Sequence, residues 1–272
     1  MKVTVITVSF NAESTLADAL QSVRDQILPK GVELEHIVVD GASKDGSVGI
    51  IKSFAALPAK DRFSFRWVSE PDKGLYDAMN KGIAMATGEI IGMVNADDML
   101  NAADVIAKVA EAAKDGTDVL GCCIRFVRQD ARYANLANTL STRFVTPRLW
   151  RKWMLSWGWT PPHPGLYIRK SAYEKYGTYL DNYEISSDDE IIVRLVRKCG
   201  ASYKFVPVCT VAMRLGGKST QAKNLLLQNR EYVEMNRANG YFCMLPMMFP
   251  KFGIKALEII IPRVMHLFGS RI

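Results

Sequence analysis

Cysteine is scarce and carries no pairing pattern. The five residues are Cys122, Cys123, Cys199, Cys209 and Cys243; the count is odd, two are adjacent and no CxxC occurs. That argues against a disulfide framework or a zinc site and fits reduced thiols in the cytosol. Long apolar runs are also missing. No stretch reaches about 18 uninterrupted apolar residues, so no ordinary membrane span is expected. Residues 3–8 are apolar, but Asn11 and Glu13 end the run too early for an export signal. Neither GxGxxG nor GxxxxGK[ST] is present, so dehydrogenase and P-loop readings lose their main support. No internal repeat or low-complexity tract interrupts the chain.

What is present is ordinary globular usage: 49% apolar and 23% charged residues. This excludes a disordered, collagen-like or all-coiled-coil chain. A length of 272 residues suits one large α/β domain with appendages. The net charge of +7 is unevenly spread. Residues 1–120 hold 12 basic and 18 acidic side chains, and residues 121–272 hold 23 basic and 10 acidic. The second half is therefore suited to phosphates, of an anionic ligand or of a lipid surface, or is simply a solvated basic face.

The first 120 residues alternate strand-like and helix-like segments. Strands are expected at Lys2–Val8, Leu34–Asp40, Phe63–Val68, Glu89–Val94 and Asp118–Phe126. Helices are expected at Glu13–Gln26, Asp45–Ala55, Tyr76–Ala86 and Ala102–Lys114. Such a rhythm predicts a mostly parallel sheet covered on both faces. Ligands of such sheets bind beyond the carboxyl ends of the strands. Those ends read Ser9-Phe10-Asn11, Asp40-Gly41-Ala42-Ser43, Glu70-Pro71-Asp72-Lys73-Gly74 and Asn95-Ala96-Asp97-Asp98. After residue 126 the rhythm breaks. A short strand is expected at Leu166–Arg169, a helix from about Ile185 to Lys198, a strand at Tyr203–Met213 and a helix to about Asn239.

Two adjacent carboxylates, Asp97 and Asp98, repel one another unless a cation sits beside them. A hard divalent ion shared with substrate phosphates answers that cost; capping of the helix near Ala102 is the other reading. Asp40 can accept from a pyrimidine imide N–H or a ribose hydroxyl, or can serve as a turn residue.

Thr7-Val8-Ser9-Phe10-Asn11-Ala12-Glu13 and Val38-Val39-Asp40-Gly41-Ala42-Ser43-Lys44-Asp45-Gly46-Ser47 resemble the opening of family 2 glycosyltransferases. Glu70-Pro71-Asp72-Lys73-Gly74-Leu75-Tyr76-Asp77-Ala78-Met79-Asn80-Lys81-Gly82, Ala86-Thr87-Gly88-Glu89 and Asn95-Ala96-Asp97-Asp98 continue the resemblance in order. The resemblance implies an α/β GT-A (Rossmann-like) fold: a mostly parallel central sheet flanked by helices, an acceptor-side C-terminal portion and a helical tail. It places a transferase domain at 1–240, with a nucleotide-sugar half (1–125) and an acceptor and catalytic half (126–240), and an amphipathic segment at 241–272.

By the same resemblance, Val8 and Phe10 would pack around the base, Asp40 would bind uracil, and Ser9 and Ser43 would belong to the nucleotide-sugar site. Glu13 would sit near the nucleotide, and Lys73 and Gly74 near ribose and diphosphate. Asn95, Ala96, Asp97 and Asp98 match the family's DxD-type segment, with Asn in place of the usual first Asp. Asp97 would face ribose or metal, and Asp98 the metal, Mg²⁺ or Mn²⁺, and diphosphate. Ser186-Ser187-Asp188-Asp189-Glu190 resembles the acidic segment whose leading Asp, here Asp188, is the catalytic base; Asp189 or Glu190 is the alternative. A carboxylate within about 3 Å of the acceptor hydroxyl can take its proton. His163 and Trp159 would lie on the acceptor side. Gly216-Gly217-Lys218-Ser219-Thr220 resembles a loop that closes over the diphosphate, with Lys218 as a point charge, or is a plain surface turn.

The tryptophans at 150–159 line an acceptor cleft, dip into a bilayer interface or pack the core. In the tail, Leu257, Ile260, Ile261, Val264, Met265 and Phe268 share one helical face. A basic, apolar segment of this kind resembles an interfacial membrane anchor; closure of the domain's own core or a dimer contact are the alternatives. The activity implied is metal-dependent, inverting transfer of a hexosyl or N-acetylhexosaminyl group from a nucleotide-sugar, UDP-linked, to a saccharide. That acceptor would be polyprenyl-diphosphate-linked, at the inner face of the cytoplasmic membrane in bacterial polysaccharide assembly. No nucleic-acid partner is implied. A nucleotidyltransferase is disfavoured because the loop after the first strand has no Gly. A membrane-associated nucleotide-sugar-binding protein without transferase activity is the non-enzymatic alternative.

Overall fold

The sheet is built around its first strand. β1 (Lys2–Ser9) pairs in parallel with β2 (Glu33–Asp40) on one side and with β4 (Ile90–Met93) on the other. The molecule is a computed structural model in which residues 1–216, 225–245, 253 and 257–260 are described. Lys218 and most of the tail periodicity lie outside those residues.

β1 is β-branched and covered on both faces, so Val3, Val5 and Ile6 are fully buried. α1 (Leu16–Arg24) lays Leu16, Ala19, Leu20 and Val23 against the sheet, the i, i+3, i+4, i+7 stripe of an amphipathic helix. α2 (Ser47–Ala55), β3 (Phe63–Ser69) and α3 (Leu75–Met85) follow, and β3 extends the sheet in parallel beside β2. α3 approaches the sheet closely because residue 82 is glycine: a Cβ there would lie 2.5 Å from Ile6 Cγ2.

Beyond β4 comes a two-residue strand, β5 (Met99–Leu100), which the sequence pattern does not announce. It exists because β9 (Tyr203–Arg214) runs antiparallel beside it, with Met99 opposite Ala212 and Leu100 opposite Val211. α4 (Val105–Ala112) therefore starts later than expected, and neither Asp97 nor Asp98 caps it. β6 (Val119–Val127) pairs with β9 in parallel and with β7 (Arg143–Val145) antiparallel. β8 (Leu166–Arg169) runs antiparallel to both β4 and β6 and joins the two halves of the sheet. The strand order is β3-β2-β1-β4-β8-β6-β9-β5, with β7 off this path beside β6. The parallel rhythm thus holds from β3 to β4 and gives way to mixed pairing after β4.

α5 (Lys170–Tyr176) and α6 (Ser187–Ile192) follow β8; α6 continues as a wider π-helical turn, Val193–Lys198. α7 (Leu225–Ala238) packs Tyr232 and Met235 into the cluster that covers one face of the sheet. Among the described residues no helix is long and apolar enough to cross a membrane.

Candidate functional site

The ends of β1 and β2 are sewn together before any ligand is considered. Asn11, at a φ of 48°, accepts from Lys44 N through Oδ1 (2.8 Å) and donates its own N–H to Ser43 Oγ (2.8 Å). Glu13 accepts from Gly46 N at 3.0 Å. Its exposed carboxylate is thereby tied to the start of α2.

Asp40 is fully buried. Oδ2 accepts from Ser43 N (2.9 Å) and Ser69 Oγ (2.7 Å), and Oδ1 from Ser43 Oγ (2.5 Å). A carboxylate has about four acceptor positions, and three are occupied. Asp40 is thus tied into the strand end by Ser43 and Ser69, with one acceptor position remaining. The carboxylate above it belongs to Asp72. A Cβ at Gly41 would lie 2.5 Å from Asp72 Oδ2 and 3.3 Å from Phe10 Cδ2. Gly41 leaves room for both side chains, and Phe10 is 65% exposed beside that space. Val8 is buried beneath, and the Ser9 hydroxyl is buried without a partner among the described residues.

Asp72 also shapes the next turn. It accepts from Gly74 N at 2.9 Å, and Asp77 accepts from Lys73 N at 3.0 Å. Gly74 has a φ of 127°, a conformation that side chains resist. Lys73 and Gly74 are exposed at the mouth of α3.

The Asn95-Ala96-Asp97-Asp98 segment lies between β4 and β5. Asp98 is almost fully buried; it accepts from Arg214 N (3.3 Å) and from Asn95 Nδ2 (3.3 Å). Burial, and then the neighbouring Asp97, push its carboxyl well above the ordinary range. Asp97 is half-buried and is likewise raised by burial. The Asn95 Oδ1 acceptor is buried with no partner among the described residues. An orphaned amide oxygen beside two under-neutralised carboxylates is an oxygen donor set that fits Mg²⁺ or Mn²⁺. Among the described residues no group of three or more His, Cys, Asp or Glu side chains is assembled to hold a metal. Further ligands would fall to the phosphates.

The three carboxylates that open α6 have three different environments. Both oxygens of Glu190 face Arg194, with Nε to Oε1 at 3.0 Å and Nη2 to Oε2 at 2.9 Å, and Glu190 is 1% exposed. Asp189 accepts from Thr160 Oγ1 at 2.5 Å. Asp188 is half-buried, and its Oδ1 accepts from Tyr76 Oη (3.2 Å) and from Asp189 N (3.0 Å). Burial pushes the Asp188 carboxyl up to about 6, while the Tyr76 hydroxyl pulls the other way. A carboxylate so poised is a suitable proton acceptor near neutral pH.

His163 Nε2 and the Tyr179 hydroxyl share a hydrogen bond at 2.7 Å, and burial pushes the imidazole down to about 4. The ring is thus neutral and engaged in the scaffold behind Asp188. The Trp159 carbonyl accepts from Trp150 Nε1 at 2.9 Å, and the Trp159 ring is half-buried. Trp150 is core, whereas Trp153 and Trp157 are exposed. Two residues at the site, Tyr76 and Asp72, are not singled out by the sequence pattern, although both stand inside the Glu70–Gly82 motif. A cavity of 680 Å³ lies elsewhere, between α7 and Met244–Leu245; none of the candidate residues lines it.

Residues 4–177 match the family model described as Glycosyl transferase family 2. The uncharacterized glycosyltransferase Rv1514c of Mycobacterium tuberculosis is 33% identical over 197 residues, covering 72% of this chain and 70% of that protein. The probable glycosyltransferase YdaM of Bacillus subtilis is 29% identical, covering 76% of this chain and 49% of its own length. Among solved structures, residues 1–349 of S. aureus TarS in complex with UDP-GlcNAc superpose with a TM-score of 0.64 at 18% identity, covering 88% of this chain and 65% of that one. The mannosyltransferase PcManGT of Pyrobaculum calidifontis, in complex with GDP-Man and Mn²⁺, gives a TM-score of 0.64 at 21% identity, covering 94% and 69%. The two structural likenesses bear on fold alone and agree with a GT-A arrangement. The extent of the family match decides the assignment: this chain belongs to glycosyl transferase family 2.

Proposed function

We propose that the protein is an inverting glycosyltransferase that moves a sugar from a UDP-sugar to a hydroxyl of a saccharide acceptor. The observation that carries this reading is Asp188, a half-buried carboxylate held by Tyr76 and raised to about 6, in a family 2 chain. The acceptor hydroxyl attacks the anomeric carbon from the face opposite the leaving diphosphate. Its proton passes to Asp188, the carbon–oxygen bond to the diphosphate breaks, and configuration inverts. Phe10 and Asp72 flank the base, and Lys73 with the Gly74 backbone faces the diphosphate. Asp97, Asp98 and Asn95 Oδ1 would hold Mg²⁺ or Mn²⁺. A bound ion of this kind neutralises charge gathering on the leaving phosphates. The UDP complexes of TarS and the Mn²⁺ complex of PcManGT support the choice of donor and metal.

A lipid-linked acceptor at the inner face of the cytoplasmic membrane completes the proposal. In the described turn of the tail, Leu257, Ile259 and Ile260 are exposed, while Glu258 is drawn in by Arg143 (Nε to Oε2, 2.8 Å). Closure of the domain's own core would require the opposite orientation. Exposed Leu149, Trp153 and Trp157 alternate with exposed Arg148, Arg151 and Lys152, a composition that suits an anionic interface. The test is a panel of UDP-, GDP- and TDP-sugars with Mn²⁺, read by thermal shift and then by transfer. A chain that binds donors and never transfers or hydrolyses them is a sensor, and the enzymatic proposal is then wrong.

A further inference from the structure

We infer that Tyr76 is a positioning residue for the transfer, its hydroxyl fixing the Asp188 carboxylate from the opposite half of the molecule. The inference rests on the reading of Asp188 as the base. Tyr76 lies two residues after Gly74, on the first turn of α3, and is 6% exposed. Its hydroxyl reaches Ile185 O at 2.5 Å and Asp188 Oδ1 at 3.2 Å. One turn on, Asn80 brackets the backbone of Tyr179: Nδ2 donates to Tyr179 O (2.8 Å), and Oδ1 accepts from Tyr179 N (3.0 Å). Residues four apart share one helix face, so α3 grips the 179–188 segment at two points. The rings of Tyr76 and Tyr179 stack, with centroids 5.9 Å apart. The helix whose mouth carries Lys73 and Gly74 therefore also sets the position of Asp188.

The chemistry suits a group that changes protonation. A hydroxyl has one proton to donate and lone pairs to accept with. Facing ionised Asp188, Tyr76 can aim its proton at Oδ1. When Asp188 has taken the acceptor's proton on Oδ2, the hydroxyl can turn its own proton to Ile185 O instead. The Tyr76 and Asp189 bonds both fall on Oδ1. Oδ2 is then the atom presented to the acceptor. The other groups around Asp188 are Tyr179 before α6, Glu231 on α7, Asp189 and Glu190 on its own helix, and His163 behind Tyr179. Glu231 is occupied with the Glu184, Ile185 and Ser186 amides, and Glu190 with Arg194. Among the described residues the Tyr76 hydroxyl is the side-chain donor on Asp188.

The experiment is a pH profile of kcat and donor KM. Tyr76→Phe keeps the stacked ring and removes the hydroxyl. A hydrogen bond to the charged form lowers a carboxyl's pKa, so its loss should move the acid limb up by about one pH unit. The variant should lose roughly fivefold in kcat at pH 6 and little at pH 8, with donor KM near wild type. Replacing Tyr76 by 3-fluorotyrosine, a stronger donor of nearly equal size, should move the limb down. Tyr179→Phe, whose hydroxyl touches His163 and Tyr173 rather than Asp188, should leave the limb in place. An unmoved limb in both Tyr76 variants, or an equal shift in Tyr179→Phe, overturns the inference. Asp188→Asn separates the two readings: wild-type turnover there removes the base itself, whatever Tyr76 does.

Discussion

Arg214, the last residue of β9, closes on Asp18 of α1 across 196 positions of chain, with Nη2 to Oδ2 at 2.7 Å. The same guanidinium donates to Asp97 O (2.8 Å) and Ala131 O (3.0 Å), and its backbone N–H donates to Asp98. One buried cation thus clamps the DxD-type segment between the first helix and the last strand.

Arg214→Ala should therefore destabilise the fold and damage the donor site together. Removing one partner of a buried pair costs about 3–5 kcal/mol, and the lower end applies because Asp18 keeps Arg132 at 3.4 Å. The expected fall in melting temperature is about 10 °C. Calorimetry should also show weakened UDP binding in Mn²⁺. Unchanged UDP affinity would detach Arg214 from the site.

The rate of transfer should rise with pH through about 6 and level off above neutrality, because Asp188 must be ionised to take a proton. Stability should respond in the opposite sense. Below the ordinary carboxylate range the folded and unfolded chains both hold the proton. Between there and about 6 the unfolded chain releases it first, so the buried Asp188 costs stability as pH rises. Asp188→Asn should gain about 1–3 kcal/mol over wild type on passing from pH 4 to pH 8 while losing transfer. A stability difference that does not change with pH contradicts the assignment.

Divalent metal should matter most at the pyrophosphate. Burial and the neighbouring Asp97 raise the Asp98 carboxyl well above the ordinary range, so metal uptake should displace protons and strengthen as pH rises. UDP titrations with Mn²⁺, with EDTA, and with Asp98→Asn should rank in that order of affinity. Equal affinity in Mn²⁺ and EDTA rules out the ion.

Base selection should reside in Asp72. A carboxylate accepts from the uracil imide N–H, which cytosine lacks. Asp72→Ala should weaken UDP binding by about tenfold and leave CDP binding unchanged, the scale of one hydrogen bond to a charged group. Gly41→Ala should act in the same direction with little change in melting temperature, because the new Cβ would displace the Asp72 carboxylate from its place. If UDP affinity survives both changes, the base is read elsewhere.

The sequence by itself determined the parallel half of the sheet. Residues such as Val3, Val5 and Ile6, or Leu16, Leu20 and Val23, carry their periodicity locally, and local spacing decides which face is buried. It also marked the polar strand ends and the acidic turn at Asp188, since these are contiguous motifs. β5 escaped it: two residues show no period, and that strand forms only because β9 returns beside it. Tertiary structure alone decided what each carboxylate does. Asp40 receives a donor from Ser69, 29 positions away, and Glu190 is taken up on both oxygens by Arg194. Asp188 acquired its partner from Tyr76, 112 positions away. The character of a carboxylate is fixed by burial and by the donors that reach it, and those donors arrive from distant segments that no local pattern connects.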